Sequence, residues 1–351
     1  MGGGEGILRW NVDCGRQRMI RFIWRLLAAA VGVTAVSACA SSNPFPLSVR
    51  LKWDHQVQFA GIYTAMEEGY YTDQNLDVTL EEVDKSRDAT WQSVMDGEND
   101  IGIGAPEELI IARSQGAPLK AIAVIFKLNP FVYVVSPDSD VETPYDFVGE
   151  TIVVSPGQGT MLYTTMMDNL GIDRSQINEI PSHSFNIEEC WAGSGEKGLP
   201  PAAACPTYAT AELARARYEG WDVAAIWPSD YGVPFYGDVI YTTGDFLEQH
   251  PDEVAAFVAA TLQGWQKASD EPELATQYTL RYDPALDEAV QLSALETSLP
   301  LIDTGRTEIG WMDPAVWQRM YDVLWEQGFI EEPFDVTAVY TNEFVEQAYN
   351  R

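Results

Sequence analysis

Trp53-Asp54-His55-Gln56-Val57-Gln58 sets an indole, a carboxylate, an imidazole and two amides side by side, immediately before an amphipathic segment. Such a cluster could do general acid–base chemistry, form a polar rim around a bound molecule, or simply open an α/β domain. A hydrolase would also need an activated nucleophile with a base and an orienter. The three histidines are His55, His183 and His250, and none accompanies a Gly-x-Ser-x-Gly elbow. His250, in Gln-His-Pro ahead of a helix, reads as a surface cap. With 53 acidic residues, no single carboxylate pair is informative. A second candidate is Ser155-Pro-Gly-Gln158-Gly159-Thr160, whose glycines expose backbone N–H groups and whose Thr160 can cap a helix or donate to a polar ligand. It lacks the Gly-Lys-Ser/Thr ending of a nucleotide loop and the three-glycine dinucleotide pattern, so an ordinary strand-to-helix turn stays open beside a polar grip. Trp53, Phe126, Phe131, Trp227 and Tyr231 fall near predicted strand ends. There they could sandwich a flat heterocycle or serve as core.

These groups need a frame, and the apolar periodicity predicts one. Residues 47–53 read as a strand and 54–58 as a polar turn. Phe59, Tyr63, Met66 and Tyr70 then recur at spacings of one helical face, ending near Gly69. Leu76, Val78 and Leu80 alternate with polar residues as in a strand. The pattern continues with helix 89–97, strand 101–103, helix 106–114, strand 119–126, strand 131–135, strand 151–154 and helix 161–170. Pro106 suits a first helical turn, with Glu107 and Glu108 at its positive end. Residues 181–206 read as an irregular loop with a short helix, followed by helix 210–219 and strand 222–227. The remainder reads as helices 251–269, 284–299 and 314–329 and a last helix capped by Tyr340-Thr341-Asn342. Strands alternating with helices predict mostly parallel sheets covered on both faces, with the C-terminal third packed on an existing sheet. The loops 54–58, 104–107, 155–160 and 227–231 all follow strands, where such sheets place a ligand cleft.

The 351 residues, 46% hydrophobic, suffice for two domains. Met19-Ile-Arg-Phe-Ile-Trp-Arg, a short apolar run and Val-Ser-Ala-Cys39 have the order of an export signal ending in a lipidation site. Residues 1–38 are therefore expected to be a signal peptide, with either Met19 as the true start or an unusually long basic region, and 39–46 a lipidated tether. The net charge of −32 argues against nucleic acid and anionic bilayers as charge partners. Cys190 and Cys205 flank a Gly/Pro-rich loop, which in an exported protein suggests a disulfide. Their spacing is poor for a metal, and no metal or cofactor is expected.

From Trp53 to Leu80 the chain resembles the solute-binding proteins of bacterial ABC importers, in the branch similar to thiamin-pyrimidine precursor synthases. The resemblance rests on Trp53, Ala60-Gly-Ile-Tyr-Thr-Ala65, Glu68-Gly-Tyr-Tyr71 and Asn75-Leu-Asp-Val78, with further matches at Asp100-Ile-Gly-Ile-Gly104, 112–118, 121–126 and Tyr340-Thr-Asn-Glu-Phe344. It implies a periplasmic-binding-protein-like fold of type II, two doubly wound α/β lobes joined by a hinge, with lobe one at 47–130 plus 236–351 and lobe two at 131–235. It further implies a non-enzymatic monomer, exported and lipid-anchored at the outer face of the cytoplasmic membrane or in the periplasm, delivering a small molecule to an ABC permease and its ATPase. The ligand class implied is a flat heterocycle, such as a thiamin pyrimidine precursor or a riboflavin-like vitamin. The alternatives are a small sulfonate or other anion, a ligand sensor, or a cytoplasmic synthase of the same fold, whose Cys-rich segment has no counterpart here. By position, Asp54, His55 and Gln58 are expected as first-lobe contacts, Glu107 as a loop carboxylate, and Gln158, Gly159 and Thr160 as second-lobe contacts. Trp53, Phe126, Trp227, Asp230 and Tyr231 complete the expected ligand set. The Trp227-Pro-Ser-Asp230 turn and the Cys190–Cys205 loop depart from the family pattern.

Overall fold

The computed structural model describes Met1 and residues 43–87, 89–182, 186–193 and 199–350. The predicted signal, Cys39 and His183 lie outside the described residues. Contacts divide the chain into Met1–Asn43 and Pro44–Arg351, and the second unit holds the sheets. In chain order the strands are β1 (Phe45–Arg50), β2 (Leu76–Glu81), β3 (Ile101–Gly104), β4 (Leu119–Val124), β5 (Phe131–Val135), β6 (Thr151–Val154), β7 (Asn178–Pro181), β8 (Ala204–Tyr208), β9 (Ala224–Ile226) and β10 (Val239–Thr243). They form two five-stranded sheets, ordered β2-β1-β3-β10-β4 and β7-β6-β8-β5-β9.

Both sheets are mixed, which corrects the expectation of mostly parallel pairing. β1 runs parallel to β2 and β3, whereas β10 enters antiparallel between β3 and β4. In the second sheet β6 runs parallel to β7 and β8, and β5 lies antiparallel to β8 and β9. The cause is topological. The chain leaves the first sheet after β4, builds the second, and returns through β10 against the direction of its neighbours. The C-terminal segment is thus not wholly helical; Val239-Ile-Tyr-Thr-Thr243 is a β-branched and aromatic run inside it. β8 lies in the region expected to be irregular. It tolerates Pro206, which has no N–H to give, because β6 pairs with it only at Ala204, leaving one edge free beyond that point.

The two crossings between sheets are stitched together. Gly237 donates its N–H to the Phe126 carbonyl at 2.8 Å, and Ile125 donates to the Asp238 carbonyl at 2.9 Å. Buried Asn129 donates to the Tyr236 carbonyl and accepts from the Phe131 N–H. A Cβ at Gly237 would stand 2.7 Å from Phe126 Cβ and 2.9 Å from Pro130 Cδ, so only glycine lets the strands meet this closely.

The polar turn after β1 is held from behind by helix packing. Helix Ala60–Glu67 lies against helix Pro251–Asp270, where Gly61 faces the indole of Trp265 and Gly264 faces the Gly61 carbonyl. A Cβ at Gly61 would sit 2.2 Å from the Trp265 ring, and one at Gly264 would sit 2.1 Å from Gly61 O. Phe59 and Tyr63 of the predicted stripe are fully buried, while Met66 and Tyr70 pack at its margin. At the C-terminus Thr341, rather than Asn342, caps the last helix by accepting from the Glu343 N–H. The Asn342 amide instead pairs with the backbone of Met312.

Cys190 and Cys205 are bonded, joining helix Ile187–Ala192 to β8 with a Cα–Cα distance of 6.2 Å. A loop of 15 residues closed in this way contributes about 3 kcal/mol through unfolded-chain entropy.

Candidate functional site

A cavity of about 530 Å³ lies between the two sheets, lined from the first by Lys52, Trp53, Gln58, Thr90 and Glu108 and from the second by Phe131, Ser155, Gln158, Gly159, Tyr208 and Glu212. Pockets of this size hold organic molecules of many heavy atoms. Each sheet sends its polar groups from the ends of strands. Lys52 and Trp53 follow β1, Glu108 lies in the first turn of the Pro-initiated helix Pro106–Ser114, and Gln158 opens helix Gln158–Leu170 after β6. Tyr208 closes β8.

Two hydrogen-bonded chains organise the cavity. In the first, Gln158 Nε2 donates to Glu107 Oε1 and Gln158 Oε1 accepts from the Tyr208 hydroxyl, both at 2.5 Å. Tyr208 ends β8 and Gln158 opens the helix after β6, whereas Glu107 lies in the helix after β3, so this amide ties the walls together. In the second, Lys52 Nζ donates to Asp238 Oδ1 at 2.9 Å and Gln58 Nε2 to Asp238 Oδ2 at 2.6 Å. Asp238 immediately precedes β10 at the second crossing, and its side chain is 4% exposed.

The electrostatics follow from this burial. Desolvation alone would lower the Lys52 pKa, but the fields of Asp238, Tyr208 and Glu107 outweigh it and hold the ammonium above its ordinary range. Glu107 is 0% exposed, and burial pushes its carboxyl up to about 7 against the opposing pull of Lys52. Burial likewise raises Glu108, again opposed by Lys52, and lifts the Tyr208 phenol to about 12. Glu107 Oε2 has no hydrogen-bond partner. Because the folded protein holds the Glu107 proton more tightly than the unfolded chain does, its contribution to stability is present below about pH 4.5 and is lost as pH rises to about 7. Glu107→Gln should therefore flatten the stability profile across that window, read from denaturant midpoints at successive pH values. An unchanged profile would show that Glu107 does not titrate there.

The structure brings Trp53, Gln58, Gln158 and Gly159 to the cavity wall, with the Trp53 side 50% exposed. Glu107 stands one hydrogen bond behind Gln158. The other expected residues lie elsewhere. Asp54 turns outward to an ion pair with Lys85 at 2.6 Å. His55 is drawn to the helix behind the turn, its Nδ1 2.8 Å from the Tyr63 hydroxyl and its ring against Tyr282. Thr160 Oγ1 donates to the Ser155 carbonyl and borders a separate cavity of about 300 Å³ beside Arg319 and Gln327. Phe126 is buried under Gly237 at the crossing, and Trp227 packs among core residues. Asp230 is exposed on the short turn Pro228–Tyr231, and Tyr231 packs onto the core. The residues missed are Lys52, Glu108, Tyr208, Glu212 and Asp238. Lys52 was within reach of the strand-end rule, one position before Trp53, whereas Asp238 and Tyr208 depend on strands that the periodicity did not reveal. Among the described residues no group of three or more His, Cys, Asp or Glu is placed to hold a metal, and no helix is long and apolar enough to cross a membrane.

Two mixed α/β sheets with interspersed helices and a cavity between them match the type II periplasmic-binding-protein-like fold. A solved structure of a putative sulfonate ABC transporter's periplasmic sulfonate-binding protein SsuA, from Methylobacillus flagellatus, matches with a TM-score of 0.66 over 88% of this chain and 95% of that one, at 14% identity. The chain belongs to the NMT1/THI5-like family, whose model matches residues 56–275. It is 25% identical over 296 residues to the formylaminopyrimidine-binding protein of Halalkalibacterium halodurans, covering 82% of this chain and 87% of that protein. It is also 24% identical over 330 residues to the riboflavin-binding protein RibY of Chloroflexus aurantiacus, covering 90% and 91% respectively.

Proposed function

We propose that the chain is the extracytoplasmic solute-binding component of an ABC importer and that it holds a small, flat, uncharged heterocycle between its two sheets. The observation that carries the ligand class is that the basic residues lining the cavity are already ion-paired. Lys52 is held by Asp238, Lys85 by Asp54, and Arg87 by Asp84, Asp96 and Glu98. A small anion would have to compete with these carboxylates, and it would meet Glu108 and Glu212 in the same wall. A neutral ring with polar edges instead finds amides at Gln58 and Gln158, a phenol at Tyr208 and an accessible indole at Trp53. The relatives that bind formylaminopyrimidine and riboflavin support this reading. Lipidation at Cys39 and delivery to a permease belong to the same proposal.

A second reading, a small sulfonate or other anion, is favoured by the sulfonate-binding fold neighbour and by the placement of Lys52 at the cavity. The two separate in a thermal-shift and native mass spectrometry panel of aminopyrimidines, riboflavin, nucleobases, methanesulfonate and nitrate. A ligand at a hundred times its Kd adds about 2.7 kcal/mol to stability, so the partner gives a graded rise in melting temperature. The heterocycle reading expects that rise from a flat ring compound. A rise with anions alone would overturn it, and turnover of the ligand by the isolated protein would overturn the binding role.

A further inference from the structure

We infer that Asp238 sets the ligand class of the cleft by withholding the Lys52 cation from it. The inference rests on the heterocycle reading of the same site. Lys52 lines the cavity with 18% of its side chain exposed, so a molecule bound there meets this side chain. Its ion-pair partner is Asp238, which lies behind the wall at 2.9 Å, and the same carboxylate takes the Gln58 amide on its second oxygen. Asp238 thus fixes two cavity residues at once and cancels the charge of one of them. A lysine offers three donors, and the Asp238 contact uses one. The remaining N–H groups can serve a neutral acceptor on a ring as hydrogen-bond donors without the ligand having to carry charge. With the carboxylate removed, the same ammonium becomes an uncompensated cation in a partly desolvated cleft, which is the arrangement an oxyanion seeks.

The backbone makes this side-chain test clean. The bonds that stitch the crossing here use the Asp238 carbonyl, which accepts from Ile125 and Phe126, not its carboxylate. Asp238→Asn keeps shape and backbone and deletes the charge. Glu107 and Glu108 are the other carboxyls whose charges couple to Lys52, so adding Glu107→Gln removes one of the two substitute counter-charges.

The experiment measures the affinity of the full-length chain for methanesulfonate by calorimetry, alongside its melting temperature with and without that anion. The wild type is expected to bind methanesulfonate weakly. Asp238→Asn should melt lower than wild type, recover with methanesulfonate, and bind it at least tenfold more tightly. Asp238→Asn/Glu107→Gln should gain more, and Lys52→Gln/Asp238→Asn should lose the gain. Should the amide variant not fold, Asp238→Ser is subject to the same criteria. A folded variant that gains no anion affinity overturns the inference and leaves the heterocycle reading intact. A gain that persists without Lys52 overturns the inference too. A wild type that already prefers methanesulfonate to every ring compound overturns the reading, and the inference with it.

Discussion

Gln158→Ala is expected to weaken ligand binding by about a hundredfold. The amide is the hydrogen-bonded link between the Tyr208 hydroxyl of one wall and the Glu107 carboxyl of the other, and it also lines the cavity. Its loss removes a contact for the ligand and a cross-link between the walls. It also leaves Glu107 buried with neither oxygen partnered, because Oε2 already lacks a partner. The stranded acceptor lowers stability, whereas the hydrogen-bonding contact that the amide gives a bound molecule in a desolvated cleft is worth about 1–3 kcal/mol of affinity, and about 2.7 kcal/mol corresponds to the hundredfold. Gln158→Glu should be no better, since it sets a second carboxyl against Glu107. Calorimetric titration checks both variants. A change below threefold for Gln158→Ala would show that the bridge is incidental to binding.

Trp265→Ala is expected to cost about 3–5 kcal/mol, the range for deleting a large buried aromatic. Trp265 is 1% exposed and lies against Gly61 in a contact too close for any Cβ, so neighbouring side chains have little means of closing the void. Its indole Nε1 has no hydrogen-bond partner, which leaves packing as its contribution. For a unit of this size the loss corresponds to a fall in melting temperature of about 5–8 °C. Because helix Ala60–Glu67 carries the turn with Trp53 and Gln58, ligand affinity should fall with stability. A melting temperature within about 2 °C of wild type would mean that this packing does not hold the turn.

The local elements whose signals are contained in a few residues were legible. Pro106 with two glutamates begins a helix where expected, ending at Ser114, and the β-rich runs at Phe131–Val135 and Thr151–Val154 are strands over the predicted residues. β10 carries a β-branched and aromatic run as long as that of β5 but stands apart from the regular strand–helix alternation, and its place between β3 and β4 is a property of the whole chain path. β8 was hidden by Pro206, whose acceptability depends on where β6 stops pairing.

At the site the same division holds. Trp53, Gln58, Gln158 and Gly159 were identifiable from type and position after strands. The pairing that governs the charge of the cavity was not, because Lys52 and Asp238 are 186 residues apart. His55 shows the converse problem. A histidine in a polar turn looks available for chemistry, yet Tyr63, eight residues on, takes its ring toward the helix behind the turn.

On the proposed function, the cavity is expected to bind a neutral flat ring through Gln158 and Trp53 without recruiting a free cation. Isothermal titration of the wild type with a formylated aminopyrimidine, riboflavin and methanesulfonate tests it most directly, with Gln158→Ala as the comparison. Saturable one-site binding of a ring compound, weakened about a hundredfold in the variant and far tighter than the weak binding of methanesulfonate, is the predicted result. Methanesulfonate binding more tightly than either ring compound, or ring binding unchanged in Gln158→Ala, would contradict it.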